Sequence, residues 1–163
     1  MKHDGFRDMY IAELQELRSA EALMADGLNA LAGRAAARDL TQFLSRQAEE
    51  TARQCERLDA LLQAQGAEPA AHHDSSMGAM LREAGRWSDR LDDPELSDAA
   101  LVVSVQRMKH YKMAVYGSLA SWARHLQLGQ DSVTLQNTLA DEKRTDQDIT
   151  RLAERTLNPA AAA

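Results

Sequence analysis

Glu21, Glu50, Glu142 and Asp146, with Lys109 and Lys112, are the residues of this sequence best suited to do chemistry. Carboxylates projected inward from several helices are how bundle proteins hold pairs of iron or manganese ions. The usual set is one Glu from each of two helices and a Glu-x-x-His from each of the other two. Here Glu50 is followed at the fourth place by Arg53 and Glu142 by Thr145, so neither motif ends in histidine. Lys109 and Lys112 add a different chemistry. A protonated lysine has three donors and no lone pair, so it repels a divalent cation. It can instead take a metal ion's place by pairing with carboxylates that burial would leave uncompensated.

Helix punctuation supplies the elements that must position these groups. The signals predict helices over about 5–32, 36–65, 76–90, 94–128 and 131–157. Gly33, Gly66 with Pro69 behind it, and Gly129 are the stops, and Asp92-Asp93-Pro94 is a start with acids and proline in the first turn. The 76–90 helix is short and amphipathic, on Met77, Met80, Leu81, Ala84, Trp87 and Leu91, and lies in a long crossover. The loop before it contains His72-His73-Asp74. Two tight helix hairpins joined by one long crossover give an all-α, ferritin-like four-helix bundle. Residues 1–158 form its single domain, and 159–163 are read as a frayed alanine-rich tail.

Each long helix carries a stripe at 3-4 spacing that is apolar at its ends and charged in its middle. The second helix's stripe runs Leu40, Phe43, Gln47, Glu50, Gln54, Arg57 and Leu61; the third's includes Val105, Lys109, Lys112, Tyr116 and Leu119. Glu21 lies about 13 residues before the first hairpin and Glu50 about 16 after it, a difference of under one turn at 1.5 Å per residue. Lys112 lies about 17 before the second hairpin, with Glu142 and Asp146 about 13 and 17 after it. Glu21, Glu50, Gln54, Lys109, Lys112, Glu142 and Asp146 are therefore expected in one layer of the interior. Its four acids and two lysines sum to −2.

Composition narrows the function classes. Leu, Ala, Gln, Arg and acidic residues dominate, and aromatics are 4% of the 163 residues. The formal net charge is −6 with no dense basic block, which argues against a nucleic-acid partner. Apolar runs are too short for a membrane span, and the N-terminus has no apolar signal core. Cys55 is the only cysteine, so no internal disulfide can form. A soluble cytoplasmic protein is the expectation. The chain shows no P-loop, G-x-G-x-x-G, H-E-x-x-H or C-x-x-C.

Lesser candidates have a structural reading beside the chemical one. His110 is an outside candidate for metal ligation but fits a helix edge, and the His72-His73-Asp74 cluster fits a solvated loop. Tyr116 beside a metal would be a redox site; as a buried tyrosine it gives its hydroxyl to a carboxylate. Cys55 points off the core stripe without a histidine partner. Trp87 is expected to anchor the crossover helix, and Trp122 to pack at the bundle edge or in a dimer contact. His3 and His125 are expected at the surface.

Leu17-Arg18-Ser19-Ala20-Glu21, Glu49-Glu50-Thr51-x-x-Gln54-x-x-Arg57-Leu58, Gln106-Arg107-x-x-His110-Tyr111-x-x-Ala114-x-Tyr116-Gly117 and Glu142-Lys143-x-x-Asp146 fall in order along the chain. Together they resemble the YciF/YciE-like ferritin-like family. The resemblance implies a rubrerythrin-like bundle, dimeric, linked to bacterial stress responses. In that family the third-helix run reads Glu-His-Tyr-Glu, with both Glu as metal ligands. Here it reads Lys109-His110-Tyr111-Lys112, so both ligands are charge-reversed while acids on the other helices match.

The reading taken forward is a stress-associated, non-enzymatic bundle with no cofactor, in which Lys109 and Lys112 pair with the remaining acids. The alternative is an iron- or manganese-dependent oxidase or peroxidase using Glu21, Glu50, Glu142 and Asp146. A third reading has a core lysine or tyrosine modified by metal-driven oxidation. The sequence names no small-molecule substrate, and the homodimer rests on the resemblance.

Overall fold

Caps and apolar stripes divide the chain much as the punctuation predicts. The computed structural model describes residues 5–163, so His3 lies outside the described residues. Its helices are α1 (Phe6–Ala32), α2 (Arg38–Ala64), α3 (Ser75–Ser88), α4 (Pro94–His125), α5 (Gly129–Leu152) and α6 (Asn158–Ala161). A π-helical segment, Ala153–Leu157, joins the last two. Among the described residues there is no strand, and no helix is long and apolar enough to cross a membrane. α1 packs on α2 and α4 on α5 as antiparallel hairpins; α3, in the crossover, covers α1 and α4.

The helix ends have identifiable causes. Gly66 closes α2 in the left-handed region, with Ala67 N–H donating to Leu62 O and Gly66 N–H to Gln63 O. The same motif closes α4, but with Gln127 at φ 60 in the glycine role. Gly129, expected as the stop, instead opens α5. α2 begins two residues later than expected because Ala36 and Ala37 donate their amides to the Asp98 carboxylate of α4, at 2.9 and 2.7 Å. That contact caps the second helix from the third long one. Asp93 caps α4 through Leu96 N–H, with Pro94 in the first turn. The tail expected to fray is helical at Asn158–Ala161: the π segment, with Asn158 N–H reaching Ala153 O, lies where Pro159 would otherwise break the α-helical ladder.

α3 is held by Met77 and Ala84, both fully buried, and by Leu81, which sits against Gly27 where no Cβ would fit. Trp87, expected to be the anchor, is 44% exposed. Asp74 caps α3 through Met77 N–H at 2.7 Å and accepts the Tyr111 hydroxyl at 2.6 Å, which ties the crossover to α4. The His72-His73-Asp74 cluster is thus divided: Asp74 is a buried cap, while His72 faces Glu16 at the surface.

The apolar core is in two parts. One gathers Met24, Leu28, Leu40, Leu44, Val105, Met108 and Ile149. The other gathers Tyr10, Leu14, Leu17, Leu58, Leu62, Leu119 and Leu135. The charged positions of the stripes fall between them.

Candidate lysine–carboxylate centre

Burial of a charge in a helical bundle requires compensation from a neighbouring helix. Every long helix contributes here. Glu21 comes from α1, Gln47 and Gln54 from α2, Lys109, Lys112 and Tyr116 from α4, and Glu142 and Thr145 from α5. Lys109 and Lys112 are 1% and 0% exposed, and Glu21 and Glu142 are 0% and 2% exposed.

The ammonium of Lys112 donates to Glu21 Oε2 at 2.8 Å and to Gln54 Oε1 at 3.1 Å, and lies 3.6 Å from Glu142 Oε1. That of Lys109 donates to Glu142 Oε2 at 2.8 Å, Thr145 Oγ1 at 2.8 Å and Gln47 Oε1 at 3.0 Å. The carboxylates are filled from their side as well. Tyr116 donates to Glu21 Oε1 at 2.6 Å, and Gln54 Nε2 to Glu142 Oε1 at 2.8 Å. Gln54 thus donates to one acid while accepting from the lysine that holds the other. Two ammoniums face two carboxylates, so the layer is neutral rather than −2.

Burial, the largest influence on each group, disfavours every charge. Around Lys112, Glu21 and Glu142 outweigh it and hold the ammonium above its ordinary range. Lys109 is pulled down by burial and by the Lys112 charge, with Glu142 opposing. Burial lifts the Glu21 carboxyl against the pull of Lys112, whereas the two lysines overcome burial at Glu142 and take it to about 2. Tyr116, fully buried against Glu21, is pushed well above the tyrosine range and remains a hydroxyl donor.

Glu21, Gln54, Lys109, Lys112 and Glu142 converge as the stripes predict; Glu50 and Asp146 do not. The Glu50 carboxylate accepts from Arg53 Nε at 2.9 Å and Arg57 Nη1 at 3.0 Å on its own helix, and its side chain is 25% exposed. Asp146 meets His110 Nε2 at 3.0 Å and Gln106 Nε2 at 3.3 Å at the α4–α5 edge. Both acids sit at the margin of their stripes, where side chains at the helix edges can reach them. Arg57, on the predicted stripe, is half-exposed for the same reason.

Gln47 and Thr145 complete the layer and were not placed in it by sequence reasoning. Gln47 did stand on the predicted stripe, and Thr145 occupies the place where a Glu-x-x-His motif would carry its histidine. Cys55 is buried rather than turned away, with its thiol 3.7 Å from Arg18 O and pushed up by burial, so it is not an activated nucleophile. His110 and His125 are exposed. Trp122 meets Phe6 with ring centroids 5.6 Å apart.

An iron or manganese pair would need the acids of three helices to share lone pairs around one space. The residues present do not fit it. Glu50 and Asp146 face outward, and the space between Glu21 and Glu142 is bridged by the Lys112 ammonium. Among the described residues no group of three or more His, Cys, Asp or Glu side chains is arranged to hold a metal ion.

The comparisons agree with the architecture. The chain is 31% identical to protein YciF of Escherichia coli strain K12 over 162 residues, covering 99% of this chain and 98% of that one. The crystal structure of the E. coli stress protein YciF superposes with a TM-score of 0.90 at 30% identity, covering 96% of this chain and 99% of that chain. YcfI of Rhodopseudomonas palustris, described as a candidate structural protein, gives 0.87 at 28% identity over 92% of this chain and 97% of its own. Residues 5–162 match the family described as a domain of unknown function, DUF892, and this chain belongs to that family.

Proposed function

We propose that this protein is a stress-associated structural bundle in which a lysine–carboxylate lock holds the four long helices where a di-metal centre would otherwise sit. The observation that carries the reading is the filled donor set. Lys109 makes three hydrogen bonds to side chains of α2 and α5, and Lys112 bonds α1 and α2 and lies near Glu142 of α5. Ammonium groups so engaged present no lone pair to a metal. The likeness to a stress protein and to a candidate structural protein supports the same direction.

Elemental analysis of protein expressed in iron- and manganese-supplemented medium tests the reading. The expected result is no stoichiometric transition metal; one ion or more per chain overturns it. Lys109→Glu with Lys112→Glu sharpens the test by returning acids to the third long helix. If the scaffold is a metal site locked by lysines, the double variant gains bound metal that the parent lacks.

A further inference from the structure

A cleft of about 510 Å3 opens between α2 and α5 directly outside the lysine–carboxylate layer. Its floor includes Gln47, which is 8% exposed. Lys109 fixes the orientation of that side chain: an ammonium can only donate, so the Gln47 carboxamide must turn its oxygen to Lys109 and its NH2 the other way. Among the described residues the NH2 meets no protein acceptor, and it is not sealed from solvent. A nearly buried amide therefore offers two donors into a cavity.

The rim supplies charge. Arg53 and Arg57 lie about one and a half to three turns beyond Gln47 along α2 and line the same cleft, and they share a single carboxylate, Glu50. Arg46, also on the rim, has no ion-pair partner among the described residues. Across the cleft the α5 acids are already engaged: Asp141 pairs with Arg144, Asp148 with Arg151, and Glu142 with the lysines. The α2 side of the mouth thus carries three arginines against Glu50, on a chain whose formal net charge is −6, while α5 brings Arg144 against Asp141, Glu142 and Asp148.

We propose that this cleft is a binding site for a phosphate monoester, clamped by Arg53 and Arg57 with the Gln47 amide donating from below. Planar guanidinium forks suit a dianionic oxyanion better than a single charge does. The cavity extends beyond what an oxyanion alone would fill, leaving room for the small polar organic part of the ester. Glu50 acts as an internal competitor: it holds both guanidiniums in position and yields them when the phosphate arrives.

Isothermal titration of the full chain with glycerol 3-phosphate, inorganic phosphate and succinate tests the site. Saturable binding of the ester at one per chain is expected, tighter than that of inorganic phosphate or succinate. Arg53→Ala with Arg57→Ala should weaken it by about tenfold or more, and Glu50→Gln, which frees both guanidiniums, should tighten it severalfold. If the alanine pair folds poorly by circular dichroism, Arg53→Lys with Arg57→Lys keeps the charge but loses the fork and should still weaken binding. Absence of saturable binding at millimolar ester overturns the proposal. So does binding that folded arginine variants leave unchanged, or succinate binding as tightly as the ester.

Discussion

Lys112 and Lys109 stand one turn apart on α4, each bonded to a buried glutamate, yet the two sides of the layer they form differ. On the sealed side, Lys112, Glu21 and Tyr116 are 0–1% exposed and lie against α1. On the other side, the partners of Lys109 (Gln47, Glu142 and Thr145) form the floor of the α2–α5 cleft. The proton preferences differ in the same way. Lys112 and Glu21 are both shifted toward holding protons, while Lys109 and Glu142 are both shifted toward releasing them. The difference teaches that an ion pair's strength here depends on the number of compensating charges around each member. Lys112 faces two glutamates, whereas Lys109 faces one and is repelled by Lys112.

Removing each lysine in turn is the sharpest way to break that comparison. Lys112→Met leaves Glu21 buried with only the Tyr116 hydroxyl, and should cost about 3–5 kcal/mol in urea unfolding. Adding Glu21→Gln to Lys112→Met should recover more than half of that loss, because a neutral amide still accepts from Tyr116. Lys109→Met should cost less, on the order of 2 kcal/mol, since Glu142 keeps Gln54 and Lys112 and sits beside the open cleft. Equal losses for the two lysines would erase the distinction. Tyr116→Phe removes one hydrogen bond to a charged acceptor and should lower stability by about 1.5 kcal/mol.

The pH dependence gives the most specific effect. Glu142 titrates at about 2 in the fold against an ordinary 4.5, so the unfolded chain takes up its proton first as pH falls. Its contribution is present above about 4.5 and is lost as pH falls toward 2. Glu21, shifted up, acts in the opposite direction, because its protonation favours the fold. Urea midpoints measured down through this range should therefore fall less steeply in Glu142→Gln than in the parent. An unchanged slope would show that Glu142 is not the acid held down by both lysines.

How much of this was legible depended on how far side-chain direction follows from spacing. The stripes placed Glu21, Gln54, Lys109, Lys112 and Glu142 together because each lies at the centre of an apolar face, where burial leaves no alternative direction. Glu50 and Asp146 share their height but sit at the stripe edge, where a small rotation about the helix axis separates core from solvent. A local signal existed for Glu50: Arg53 and Arg57 lie at i+3 and i+7, close enough to draw the carboxylate along its own helix. For Asp146 the partners are on α4, so no such signal was available. Gln127 shows the same limit at a helix end. Glycine was the residue to search for, and the chain closes α4 with a left-handed glutamine two residues earlier.

The Asp98 carboxylate, which receives the Ala36 and Ala37 amides, has a kinetic consequence. The α1–α2 hairpin has no side-chain cap of its own at the start of α2, and the group that supplies one lies some sixty residues later in the chain. Until α4 docks, the Ala36 and Ala37 amides that lead into α2 lack that acceptor, and the start of the helix should fray. The start of α2 should therefore gain its full hydrogen-exchange protection only once α4 has docked against it.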